Sequence, residues 1–325
     1  MTHCPITRRE ALALALSCVA WPLHAAAYPD RPIRMLVAFP PGGGPDLLAR
    51  TLAEALRTAK NWNIVVVNKP GVGGNLGTGE VATSAADGYT VLFGHVGALA
   101  VNPTLFKQLP FDPLKDFAPV GMIATSPLLL VTGAGRSYQT LHDLRAQAKN
   151  RPGEVSIGFS GSGTISHLSM TQLAAIAAVK LSFVPYKGAS QGLIDVVGGS
   201  IDAYVSSMAS LLGHVRGGKV RALAVTTAKR YPELPDVMTV AEQGFAGFDA
   251  STWFGMAVPA ATPTPIVAEL NAALQAALKS PVVAEKYRLD GSVPVTSTPE
   301  EFGRFLRTET VRWGKVVREA GVETQ

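Results

Sequence analysis

Short apolar runs alternate with amphipathic stretches along this chain, and glycine or proline marks most of the boundaries. Met35-Leu36-Val37-Ala38-Phe39 is an unbroken apolar run and predicts a buried strand. It stops at Pro40-Pro41-Gly42-Gly43-Gly44. Leu47, Leu48, Thr51, Leu52, Ala55 and Leu56 then recur on one helical stripe that opens with Pro45-Asp46. The β-branched run Asn63–Val67 predicts a second strand, ending in the glycine-rich loop Asn68–Asn75. Gly77–Ala86 reads as a helix of small residues. Tyr89–Phe93 reads as a third strand, followed by Gly94-His95-Val96-Gly97-Ala98. Strand, helix, strand, helix, strand is the pattern of a parallel sheet covered by helices. Ligands of such sheets sit in loops at the carboxyl ends of the strands. Loops 40–46 and 94–98 are therefore candidates, and loop 68–76 either joins them or shapes the wall.

Pro103–Pro119 reads as a proline-punctuated connection, and Val120–Val131 as a long extended segment broken at Ser126-Pro127. A second α/β unit follows. It has a helix over Leu141–Ala148 capped by Thr140 or Ser137, a strand over Val155–Phe159, the loop Ser160–Thr164 and a helix over Ile165–Ala178. Leu181–Val184 is a strand ending in Pro185-Tyr186-Lys187-Gly188. A helix over 189–198, strand Asp202–Val205, helix Ser210–Arg216 and strand Val220–Thr226 complete the unit. Ala250–Val258 is extended again. Pro265–Lys279 is an amphipathic helix with Ile266, Leu270, Ala273, Leu274 and Ala277 on its apolar face. Helices over Pro281–Leu289 and Pro299–Ala320 form the tail. There is no internal repeat.

Composition narrows the class. At 47% hydrophobic and 16% charged the chain is globular. A net charge of +5 slightly favours anionic partners, and the lack of a basic run argues against nucleic acid. Arg8-Arg9, the apolar run Ala11–Ala20 and Ala25-Ala26-Ala27 predict a cleavable signal peptide over residues 1–27 and an exported protein. Thr7-Arg8-Arg9-Glu10-Ala11-Leu12 partly matches a twin-arginine signal, although ordinary signals also carry paired arginines. Cleavage takes the net charge from +5 to +4 and removes both cysteines, Cys4 and Cys18. That leaves no disulfide, thiol nucleophile or thiolate metal site.

Several stretches can carry chemistry. Backbone amides of Gly42-Gly43-Gly44, at the positive end of a helix, suit an anion. A tight turn that needs glycine conformations explains the same residues equally well. The loop is not a P-loop, since no Gly-Lys-Ser/Thr follows, and Leu47 breaks the dinucleotide pattern. Asp46 either starts the helix or contacts a ligand. An ionised Asp46 would repel a bound carboxylate unless it took a proton or met a ligand donor. Ser160-Gly161-Ser162-Gly163-Thr164 suits a carboxylate through hydroxyls and amides. It fails the Gly-x-Ser-x-Gly hydrolase pattern, but His167 keeps a Ser160–His167 or Ser162–His167 dyad open. His95, His142, His167 and His214 show no metal-ligand spacing, and no cofactor is expected. Of the four, His95 and His167 are the best placed to face a ligand, and a protonated His95 would pair with an acid. Tyr186 and Lys187 follow a strand and either hold a ligand or sit at the surface. Trp253, Phe254 and Trp313 read as hinge or packing residues.

The chain resembles the tripartite tricarboxylate transporter substrate-binding proteins, the Bug receptors of the Bordetella type. Carrying stretches include Tyr28–Arg34, Pro41–Asp46, Asn68–Asn75, Ala86-Asp87-Gly88-Tyr89-Thr90, Asp112–Phe117, Val184–Gly188 and Trp313-Gly314-Lys315-Val316-Val317. The resemblance covers essentially all of 28–325. It implies a periplasmic, two-lobed α/β type II binding-protein fold, with domain 1 over 28–125 and 251–325 and domain 2 over 126–250. It implies a small organic carboxylate as ligand, membrane transporter subunits as partners and a monomeric receptor. Carried over residue by residue, it implicates Phe39, Pro41, Gly42 and Asp46 in the first lobe. In the second it implicates Ser160, Gly163, Thr164, His167, Tyr186, Gly188 and Ser206. His95 stands where the family commonly has Ser or Thr. Gly43 belongs to the glycine loop. The function expected is capture of a carboxylate by closure of the lobes, without catalysis. An exported serine hydrolase and a sensor that docks a signalling partner are the alternatives.

Overall fold

The computed structural model describes residues 28–186 and 189–321. Residues 1–27, with the expected signal peptide and both cysteines, and Lys187 and Gly188 lie outside the described residues. Residues up to Arg31 form a unit apart from the compact body that starts at Pro32.

Strand β1 (Ile33–Val37) is flanked by β2 (Ile64–Asn68) and β3 (Thr90–His95), both parallel to it. Its connections carry helices α1 (Gly44–Lys60) and α2 (Asn75–Ala82). β1 lies two residues earlier than the apolar run alone predicts, so Phe39 falls in the loop. His95 ends β3 and does not float in a loop. The buried stripe of α1 is Leu48, Ala49, Leu52 and Leu56. Leu47 is exposed, because it sits one residue, about 100°, off the stripe that packs on the body. α2 stops at Ala82 and not at Ala86: the hydroxyls of Thr83 and Ser84 turn back onto the Gly79 and Glu80 carbonyls.

After β3, a wide helical turn over Gly97–Val101 runs into the short helix α3 (Asn102–Leu105). β4 (Phe117–Gly133) is 17 residues long and continuous, so Ser126-Pro127 does not break it. Proline is tolerated because the strand changes partners there. Phe117–Pro127 pairs with the later strand Ser251–Pro259, and Leu128–Gly133 pairs with strands Ala203–Ser207 and Val220–Val225.

The second unit holds α4 (Leu141–Asn150), β5 (Ser156–Ser160), α5 (Ile165–Ala177), β6 (Ser182–Tyr186), α6 (Ala189–Gly198), β7 (Ala203–Ser207), α7 (Met208–Arg216) and β8 (Val220–Val225). Thr140 caps α4 in a box with Asp143. β5 lies between β6 and β7, parallel to both. β9 (Ser251–Pro259) returns antiparallel between β3 and β4. Helices α8 (Thr264–Leu278) and α9 (Pro281–Leu289), a short β10 (Val293–Pro294) and α10 (Pro299–Glu319) complete the fold. The strand order is β2-β1-β3-β9-β4-β7-β5-β6. No helix among the described residues is long and apolar enough to cross a membrane.

The handover along β4 is stitched by Thr226. Its Oγ1 accepts from the Leu128 amide at 3.0 Å, its own amide donates to the Leu128 carbonyl at 3.1 Å, and its carbonyl accepts from the Ala250 amide at 2.8 Å. Both strands that pass between the two units are tied to this residue.

Trp253 and Trp313 are fully buried core residues. Both indole N–H groups donate to Oε2 of the buried Glu309, at 2.8 and 2.9 Å, and Arg312 pairs with its Oε1 at 3.0 Å. One carboxylate thus fixes α10 on β9. Glu309→Leu strands two buried donors and a cation. It is expected to cost about 3 kcal/mol, read as a lower urea midpoint at an unchanged slope. Glu309→Gln keeps an acceptor and should lose clearly less.

Candidate functional site

The loops that follow β1, β2 and β3 face the β5–α5 loop and the start of α7 across a cleft with two chambers. The larger, ≈ 480 Å³, is walled by Ala38-Phe39-Pro40, Pro70–Gly74, Asn102, Leu105, Phe106 and Ser162–Ile165. The smaller, ≈ 340 Å³, is walled by Ser160, Ser166, Ser206, Ser207, Ser210 and Thr252, with Leu128 and Ala189. Phe39, His95, Thr164 and Ile165 line both. Among the described lining residues there is no Lys, Arg, Asp or Glu.

The β1–α1 loop is ordered from within. Asp46 is buried and accepts from the Gly42 amide and Arg50 Nε, each at 2.9 Å, and from Asn68 Nδ2 at 2.8 Å. Asn68 also donates to the Phe39 carbonyl at 3.1 Å, so the chain of bonds from Asp46 sets the backbone of Phe39. Burial by itself would raise the Asp46 carboxyl. The bonds from Arg50, Gly42 and Asn68 outweigh it and hold the group down at about 2, so it stays ionised. Gly42 is in the left-handed region at φ 81°. A Cβ on Gly44 would stand 3.2 Å from Oδ1 of Asp290, a carboxyl that burial raises. The positive end of α1 therefore faces two of the protein's own carboxyl groups. Pro41, Gly42 and Gly43 are exposed and, like Asp46, lie off the walls of both chambers.

His95 stands at the junction of the chambers. Phe39 packs edge-on at 4.9 Å, and Phe254 lies at 5.5 Å. Its Nδ1 accepts from the Gly97 amide at 2.9 Å, which places the proton on Nε2. Burial lowers its pKa to about 4. The ring is thus a neutral donor at pH 7, and the expected ion pair of a protonated His95 with an acid does not fit this environment.

Across the cleft, Ser160 Oγ bonds Tyr204 Oη at 2.7 Å and Ser206 Oγ at 3.1 Å. Thr164 Oγ1 closes the turn onto the Ser160 and Gly161 carbonyls at 3.0 and 2.8 Å. His167 stacks flat on Phe159 at 4.4 Å, and its Nδ1 accepts from the Gly163 amide at 3.2 Å. Burial lowers the His167 pKa, so it too is held neutral. The imidazole orders the loop and is not bonded to a serine hydroxyl, so the geometry lacks the base–nucleophile contact of a dyad. Tyr186 Oη donates to Asp195 at 2.7 Å, and burial followed by that carboxylate raises it to about 12. Neither His167 nor Tyr186 lines a chamber. Among the described residues no group of His, Cys, Asp and Glu is placed to hold a metal ion.

Of the residues singled out in sequence, the structure brings Phe39, His95, Ser160, Gly163, Thr164 and Ser206 to the chamber walls. Gly188 lies outside the described residues. Sequence reasoning misses Asn102, Leu105, Phe106, Ser207, Ser210 and Thr252. Asn102 could have been found beside a proline after a strand; its Nδ2 donates to the Gly73 carbonyl at 3.1 Å and anchors the glycine loop. Nothing local marks Phe106 or Thr252.

The Asp46 pKa lies below its ordinary value of 3.8. Its contribution to stability is therefore complete above that value and is lost as pH falls toward about 2. Urea midpoints of the wild type and Asp46→Asn should differ at pH 7 and converge as the pH is lowered to 2.

The profile described as tripartite tricarboxylate transporter family receptor matches residues 48–322. Protein BugT of Bordetella pertussis is 40% identical over 313 residues, covering 95% of each chain. Among solved structures, Rpa4515 of R. palustris with adipate is 35% identical at a TM-score of 0.78, covering 90% of this chain and 98% of that one. MatC from Rhodopseudomonas palustris with bound malate is 30% identical at a TM-score of 0.74, covering 89% of this chain and all of the other. With its α/β sheets, their helical flanks and the cleft between, the chain has the two-lobed type II periplasmic binding-protein fold and belongs to the tripartite tricarboxylate transporter receptor family.

Proposed function

We propose that the protein is a periplasmic receptor that captures a small organic carboxylate by closure of its lobes and delivers it to the membrane subunits of a tripartite transporter. It does so as a monomer, without catalysis, after export by a signal peptide over 1–27. The first lobe comprises 28–125 and 251–325, and the second 126–250. The observation that carries this reading is the cleft itself, walled by strand-end loops on one side and by hydroxyls on the other. Neighbours carrying adipate and malate in the same fold support it. Phe39, His95, Ser160, Gly163, Thr164 and Ser206 contact the ligand. Pro41, Gly42, Gly43 and Asp46 hold the first loop in place, and His167 and Tyr186 hold the second lobe's loops. Neither the hydrolase nor the sensor reading gains support from the geometry.

Native mass spectrometry of the purified protein should find an organic acid, and a panel of carboxylates should raise the melting temperature. The reading fails if none does. Turnover of an ester panel that disappears in Ser160→Ala would replace it with the hydrolase.

Closure makes a second, steric demand. Gly163 has φ 73°, and a Cβ there would lie 2.7 Å from Leu105 Cδ2 on the other lobe. Gly163→Ala should weaken binding of any acid that shifts the melting temperature by about tenfold, or about 1.4 kcal/mol. Adding Leu105→Ala should recover part of the loss. Calorimetric titration reads both.

A further inference from the structure

Away from the chambers the lobes are bonded to each other by groups that play no part in walling the cleft. α9 is tied to the first lobe: the hydroxyl of its fully buried Tyr287 donates to the Leu48 carbonyl of α1 at 3.0 Å. Tyr231 is tied to the second, where its ring packs in a core with Met208, Leu211 and Val225. Two bonds join these anchored pieces. Tyr231 Oη donates to the Arg288 carbonyl at 3.2 Å, and Arg288 Nη1 pairs with Oε1 of Glu233 at 2.8 Å. Each ion also has a partner on its own side. Glu233 pairs with Arg216 of α7, and Arg288 pairs with Glu285 on α9 at 2.7 Å. Parting Arg288 from Glu233 therefore strands neither charge, and both side chains reach solvent. Such a pair can break and re-form at little cost, unlike the bonds of the buried Glu309.

The turn that follows Arg288 links this contact to the hinge. Gly291 has φ 73°, and a Cβ there would stand 2.8 Å from both the Ala209 amide nitrogen and Met208 Cβ, at the start of α7. Ser207 and Ser210, on either side of that start, wall the smaller chamber. Asp290 lies against Gly44 at the start of α1, and Ser292 bonds Ser126 at 3.0 Å beside the β4 crossing. The segment Arg288–Ser292 thus runs from the ion pair to the crossing with one lobe on each side of it.

We infer that Arg288, Glu233 and Tyr231 form a latch between the lobes: positioning residues that hold the two sides of the cleft near each other without touching its contents. The inference uses the division into lobes proposed above and is independent of the ligand. A rotation about the β4–β9 crossing carries Arg288 with α1 and carries Tyr231 and Glu233 with α7, so it acts directly on these bonds. Because each ion keeps a second partner, the latch biases the balance of arrangements and does not lock it. A free protein biased toward closure has already met part of the cost of closing, which raises its apparent affinity for whatever the cleft takes.

The test is the distance between the lobes, read by double electron–electron resonance in the full chain, dialysed free of carried-over acid. Cys4→Ser and Cys18→Ser clear the background, and Val311→Cys on α10 and Ile194→Cys on α6, both at exposed positions, take the spin labels. Arg288→Gln and Glu233→Gln are each expected to move the ratio of short to long separations about two- to fivefold toward long ones. The double variant should go no further than either alone, since both remove one pair. Raising sodium chloride to about 0.5 M should move the parent and leave the double variant where it is. Tyr231→Phe should add to the shift. Arg151→Gln, which breaks an ion pair with Glu154 inside one lobe, should change nothing. Unchanged distances in Arg288→Gln and Glu233→Gln, or an equal shift in Arg151→Gln, overturn the latch. Calorimetric titration with adipate should show the same two- to fivefold loss in Arg288→Gln, and an unchanged affinity beside shifted distances removes the latch from capture. If the distances move and no carboxylate binds, the receptor reading falls and the latch stands. If a carboxylate binds and the distances stay, the latch falls alone.

Discussion

The architecture depends on one strand crossing from one lobe to the other without losing its hydrogen bonds. β4 and β9 are paired from Phe117 to Pro127, and β4 then continues alone into the second lobe's sheet. A buried backbone at such a crossing must find partners or cost free energy at every orphaned group. Thr226 supplies them, bonding Leu128 on β4 and Ala250 just before β9. The crossing is therefore a short paired ribbon stitched at one residue. Such a ribbon can twist while its ladder stays intact, which is what a hinge between two rigid lobes needs. Ser126 and Ser292 add a buried hydroxyl bond at 3.0 Å beside it.

Charge is handled by a consistent rule. Buried carboxylates are consumed internally: Asp46 by Arg50, Gly42 and Asn68, and Glu309 by two indoles and Arg312. Each organises an element, one the loop that carries Phe39 and the other α10. The described cleft walls carry no formal charge. This bears on the expected repulsion between Asp46 and a bound carboxylate. Asp46 lies off the chamber walls and is paired at close range with Arg50, and its bond to Asn68 helps to set the backbone of Phe39.

Much of the fold is legible in the sequence, and the reasons are local. Ile64–Asn68 reads as a strand because a β-branched run between turn residues has few other solutions, and Val220–Val225 because it is a short, mostly apolar run after Gly217-Gly218. The helices at Ala189–Gly198 and Pro281–Leu289 announce themselves by period and flanking breakers. Pro127 inside β4 is not legible, because its tolerance comes from a change of ladder partner that only the tertiary structure reveals. The site divides in the same way. Ser160 and His95 can be read because they end strands, and Thr164 because it closes a glycine loop just before a helix. Phe106, Ser210 and Thr252 reach the chambers only through packing. Gly42–Gly44 looks like an anion loop locally, yet its amide goes to Asp46 and its helix start faces Asp290.

A neutral cleft also suits delivery. Capture by a fixed lysine or arginine would add a strong pairwise attraction that must be broken again at release. Hydroxyls and an uncharged imidazole bind more weakly one at a time, so under the proposed reading affinity would depend on closing both lobes around the ligand together. Opening would then remove several modest contacts at once, without stripping a bare ion pair of its partner. The geometry ties this to specific groups: Ser160 and Ser206 belong to one lobe, and Phe39 and His95 belong to the other. Neither set alone would enclose a ligand. On the receptor reading proposed above, a hinge motion at the Thr226 stitch would control both retention and hand-over.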